Sequence, residues 1–170
     1  MFSKIFSEII RVFLYLFITC SIAYLLVSSI MPRHQVFMSP YKMLGYHHLF
    51  PFQYIALVTA VFSTTLVSFY KLIKNIIGWK LNISILALII LSVFIASVPG
   101  GILWTFHDMQ AGFFPKGSAF CEDVMEGAYA GLRLGWEIVG LSVPYNLICL
   151  FIWYIVAKGA VARLRLIFEK

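Results

Sequence analysis

Apolar residues in this chain gather into four long runs, Val12 to Ile30, Tyr54 to Ile73, Leu81 to Val98 and Trp136 to Ala157. Each is 18 to 22 residues long and shows no alternation of polar and apolar positions. At a rise of about 1.5 Å per residue, such a run crosses the roughly 30 Å hydrocarbon core of a bilayer, and it is far too long for a strand. The pattern predicts an all-α integral membrane protein with four transmembrane helices, residues 1–170 forming a single polytopic domain. Lys4 and Arg11 ahead of the first run, with Val27-Ser28-Ser29 near its end, also fit a cleavable leader. The length of that run and the equally apolar remainder of the chain favour a retained span.

Between the runs the polar intervals differ in size. Lys74 to Lys80 is a short link, whereas Met31 to Gln53 and Pro99 to Arg133 are long, so chain not needed for spanning collects on one face. Pro99-Gly100-Gly101 predicts a break at the end of the third helix. The sequence stays apolar and aromatic from there to Pro115, which predicts a short interfacial or re-entrant segment. In the first long interval, Pro32, Pro40 and Pro51 with Tyr41, Tyr46, Phe50 and Phe52 predict a lid on the membrane surface. Pro144 predicts a kink within the fourth span, beside a polar intramembrane residue, Asn146, whose expected partner is Thr19 or Ser21 of the first span.

Small residues predict where helices touch. Gly127, Gly131 and Gly135 form two overlapping G-x-x-x-G steps, a smooth groove for a close neighbour. The second span carries a ladder of the same spacing, Ala56, Ala60, Thr64 and Ser68, as the expected partner. From Gly127 to Ala157 the chain is longer than a bilayer core requires, so the glycine part projects, tilts or is separated by a bend.

Composition sharpens the class. Hydrophobic residues make up 62% of the chain and charged residues 12%, about half the charge that a soluble surface of this size carries. The net charge of +6 therefore reports orientation rather than nucleic-acid binding. With both termini inside, nine basic residues face the cytoplasm (Lys4, Arg11, Lys71, Lys74, Lys80, Lys158, Arg163, Arg165, Lys170) and four lie outside (Arg33, Lys42, Lys116, Arg133). This imbalance predicts N-in, C-in topology in a cell membrane, the inner membrane in a Gram-negative cell. The basic tail from Lys158 is expected to lie against anionic headgroups, with Leu164, Leu166, Ile167 and Phe168 dipping into the interface.

Candidate chemistry is sparse. His107 and Asp108, in the segment after Pro99-Gly100-Gly101, are the candidate catalytic pair at the outer surface, as acid/base and orienting partner. Solvent exposure or pairing with Arg133 or Lys116 is the alternative. His34, His47, His48 and His107 with nearby acids supply metal-type donors, but their spacing has no signature, so neither a metal site nor a cofactor is predicted. Cys20 and Cys149 fall inside different spans, Cys121 stands apart, and no C-x-x-C occurs, which argues against disulfide exchange. No phosphate-loop, zinc-protease or nucleophile-elbow motif is present. The chain therefore reads as a non-enzymatic accessory, interaction or protective membrane protein, with a larger membrane complex or a second copy as partner. The alternatives are an outer-face enzyme for a lipid-like substrate, using His107 and Asp108, and a small transport component lined by Asn146, the Pro144 kink and Glu137.

Overall fold

Neither Pro nor Gly interrupts the first apolar run, and a computed structural model, which describes residues 2–30, 51–112, 119–141 and 145–168, makes it one helix, α1 (Phe2–Ile30). The second helix, α2 (Pro51–Ser68), opens on a proline, tolerated at a first turn that needs no N–H. A single helical turn, α3 (Tyr70–Ile73), and a link in which Gly78 has a φ of 64° lead to α4 (Trp79–Ala111). Two further helices follow, α5 (Phe120–Leu141) and α6 (Tyr145–Phe168). Three of them, α1, α4 and α6, are long and apolar enough to cross a membrane, and α2 is a shorter apolar helix.

Two expectations are corrected. Pro99-Gly100-Gly101 does not end the third helix: α4 runs through it for 33 residues and stops at Gly112, whose left-handed backbone (φ 79°) turns its N–H back to the carbonyls of Asp108 and Met109. The stretch from Pro99 to Ala111 is thus the continuation of α4, not a separate interfacial or re-entrant piece. Proline removes one backbone bond and each glycine disfavours a helix by about 1 kcal/mol, but α5 packs along this stretch and offsets that cost. Of the fourth run, the described residues lie in α5 and α6, and Ser142, Val143 and Pro144, where the kink was expected, lie outside the described residues. The expected first-loop lid, Met31 to Phe50, and residues 113–118 also lie outside them.

Apolar side chains face both inward and outward. Leu14, Ile18 and Ile22 on α1, Ile83 and Ile90 on α4, and Phe151 and Ile155 on α6 are all exposed, as suits a bundle surrounded by an apolar medium. Four buried hydroxyl groups are satisfied within their own helices. Thr59, Ser63, Ser92 and Ser97 each donate to the carbonyl four residues earlier, at 2.6–2.8 Å.

The tight core is built by α1, α2, α4 and α6, and α5 contributes nothing to it among the described residues. Leu16, Phe62, Leu66, Ile85 and Leu164 are fully enclosed, and the Phe62 ring stacks on Trp153 with centroids 4.7 Å apart. At the end where α1 begins and α6 finishes, polar contacts join the helices. Glu8 is buried, with Arg163 at 3.3 Å and Arg11 at 3.5 Å. Arg165 donates from Nη2 to the Ile76 carbonyl at 2.6 Å, tying α6 to the α3–α4 link. The basic tail is therefore part of the bundle: α6 continues unbroken to Phe168, and Leu164 sits in the core rather than in an interface.

Candidate functional site

α6 is described from Tyr145, and among the described residues α5 adds no side chain to the tight core but lies against α4. The result is a cavity of about 600 Å³ bounded by α1, α2, α4, α5 and α6. Its wall is almost wholly apolar, with Val58, Ile89, Val93, Leu134 and Leu150 among its residues, and small side chains at Ala96, Gly100 and Ala130 give it width.

The glycine groove forms one side. A Cβ on Gly101 would come within 2.7 Å of the Gly131 Cα, and one on Gly135 within 2.8 Å of the Ser97 Cβ. A Cβ on Gly127 would meet Thr105, and one on Gly131 the Ser97 carbonyl. The partner of Gly127, Gly131 and Gly135 is therefore α4, through Ser97, Gly101 and Thr105, and not the Ala56, Ala60, Thr64 ladder. Ala60 and Thr64 are exposed on α2 and Ala56 is half-buried. Gly101 was the missing half of the motif, read from sequence only as a helix breaker.

His107 is buried and does not point into water. Its Nε2 lies 3.0 Å from the Gln53 Oε1, an acceptor, so Nε2 carries the proton. Nδ1 then accepts from the Tyr54 hydroxyl at 2.9 Å. The ring thus brackets α4 to α2, with Tyr54 also edge-on to Trp104. Asp108, next in sequence, is half-buried, and Arg133 is exposed. Tyr54 and Gln53 carried no chemical signal in the sequence, and only the antiparallel register of α2 and α4 brings them to His107.

Asn146 lines the cavity, and its Oδ1 accepts from the Leu147 N–H at 2.8 Å. Thr19, one expected partner, is turned to its own helix, donating to the Tyr15 carbonyl at 2.6 Å. The other, Ser21, is buried at its hydroxyl with no hydrogen-bond partner among the described residues. His34, His47, His48 and Lys116, and the side chain of Glu137, lie outside the described residues. Among those described, no three His, Cys, Asp or Glu side chains are grouped for a metal.

The feature least visible in the sequence is a thiol pair. Cys20 of α1 and Cys149 of α6 hydrogen-bond one another, and both line the cavity. Trp153, one turn beyond Cys149, donates from its indole Nε1 to the Cys20 Sγ at 3.1 Å. The single-helix spacing of Cys149 and Trp153 was readable, but their register against α1 was not. Cys121 stands apart and exposed on α5.

The fold defines a class: an all-helical chain with three helices fit to cross a membrane and a shorter apolar fourth, as in a helical membrane protein, here enclosing an apolar cavity. No family model, no curated protein and no solved structure matches the chain.

Proposed function

We propose that this is a small accessory protein of a bacterial-type cell membrane, an inner membrane where there are two, and that it holds a lipid-like molecule in its cavity. The observation that carries this reading is the cavity itself. Protein interiors leave few voids larger than a water molecule. The cavity is half open to the surroundings of the bundle and its wall is almost wholly apolar, so an apolar chain can enter it from a bilayer. An apolar molecule drawn from the bilayer covers that wall, and the volume falls in the range typical of ligand pockets, about 300–1,000 Å³. A binding role is favoured over catalysis because His107, the candidate acid/base, is held at both ring nitrogens by Tyr54 and Gln53.

A topology with four spans and both termini in the cytoplasm agrees with the nine-to-four distribution of basic residues. The contacts of Glu8 with Arg163, and of Arg165 with Ile76, support a shared face for the start of α1, the α3–α4 link and the end of α6. In this arrangement α2 and the α5–α6 pair complete the passages of α1 and α4.

Gly100 provides the test. It lines the cavity, and a Cβ built there meets nothing within 4 Å, so a leucine at this position fills the space without striking the backbone. Binding of a fluorescent single-chain fatty acid to the purified protein is expected to weaken at least about tenfold in Gly100→Leu. The variant should melt no lower than the wild type. A wild-type protein that neither retains lipid through purification in mild detergent nor binds the probe would exclude this function.

A further inference from the structure

We propose that Cys20 and Cys149 form a two-electron thiol–disulfide site in the cavity wall, and that the lipid-like molecule serving it is a quinone. This rests on the cavity being the binding site argued above and adds the chemistry performed there. The two thiols come from opposite ends of the sequence, yet they are neighbours across the α1–α6 contact: both line the cavity, and Trp153, one turn from Cys149 on α6, reaches the Cys20 Sγ. Trp153 aims its indole N–H at the Cys20 Sγ, where it stabilises negative charge on that sulfur as the proton leaves.

Access selects the oxidant. Cys20 is enclosed, and Cys149, half-buried, is the thiol through which the pair can be reached. The open side of the pair is the cavity, which admits apolar molecules. A quinone is an apolar two-electron oxidant soluble in a bilayer, and its ring and the start of its tail suit about 600 Å³. Asn146, three residues before Cys149, brings a carboxamide to the same wall, a group of the type that recognises a quinone carbonyl. In the reaction both S–H bonds break and one S–S bond forms. The two electrons and two protons pass to the quinone, whose two carbonyl oxygens become hydroxyls, and the hydroquinone departs.

The experiment counts thiols. The reduced full-length protein, which has three cysteines, is incubated with decylubiquinone, denatured and labelled with maleimide. The fully substituted ring of this quinone disfavours addition of a thiol, and a thioether formed by displacement of a methoxy group is not reversed by dithiothreitol, so a reversible loss reports oxidation. The expected count falls from three to one in the wild type, stays at two in Cys149→Ser, and returns to three after dithiothreitol. Loss of thiols in Cys149→Ser, or none in the wild type, overturns the proposal.

A second measurement separates this failure from that of the cavity reading. Quenching of tryptophan fluorescence by decylubiquinone is followed in the Cys20→Ser, Cys149→Ser double variant, alongside binding of the fatty-acid probe. Quenching without thiol loss in the wild type refutes the redox step and leaves the cavity reading standing. Fatty-acid binding without quenching refutes a quinone occupant. If neither probe binds, the cavity reading fails and this proposal fails with it.

Discussion

Gly131 sits where two helix backbones touch, and its missing side chain is what allows them to. A methyl group there would strike the Ser97 carbonyl and come within 2.9 Å of the Gly101 Cα, and neither backbone can turn aside as a side chain would. Gly131→Ala is therefore expected to destabilise the protein by about 1–3 kcal/mol, read as a lower melting temperature in detergent. Gly159→Ala is the control, because a Cβ there meets nothing within 4 Å and alanine favours the helix by about 1 kcal/mol. Equal loss in both variants would refute a close α4–α5 contact. At this scale the glycine spacing was legible in the sequence, since a four-residue period is a property of one helix. The partner was not: Ala60 and Thr64 have the same period, and nothing local says that they face outward.

Among the elements, α4 departs furthest from its sequence signals. Pro99 lies inside it and leaves the Ile95 carbonyl without its usual helical donor. Replacing it by alanine restores that N–H, so Pro99→Ala is expected to keep the helical content and to raise the melting temperature. A fall would mean that the packing of Gly101 on α5 depends on the proline's local geometry. Local rules predicted a break here because they weigh one helix alone, whereas α5 covers Gly101 and compensates along its length. The fourth run shows the reverse. Its excess length called for a bend, tilt or projection; the described residues of the run lie in α5 and α6, both of which line the cavity, and those between the two helices lie outside the described set.

Over the whole molecule, one end of the bundle is closed by charge and the other encloses the cavity. Glu8 is the only acid of α1, buried between Arg11 on its own helix and Arg163 on α6. Its two partners are about half exposed, which limits the pair's worth. A double-mutant cycle of Glu8→Gln and Arg163→Gln should report a coupling on the order of 1 kcal/mol in thermal unfolding. Additive losses would mean that the two side chains act independently. The bundle's apolar helices and its charge imbalance were readable from composition and run lengths. The pairings Glu8–Arg163, Cys20–Cys149 and Tyr54–His107 were not, since each joins residues more than fifty positions apart and depends on inter-helix register.

The Glu8–Arg163 pair also imposes an order on biogenesis. A ribosome releases Glu8 long before it makes Arg163, so a newly inserted α1 holds its carboxylate without that partner until α6 follows. Until then Arg11, on the same helix, is the carboxylate's one partner of the two, so an incomplete chain holds half of the charge pairing that joins the ends of the finished bundle.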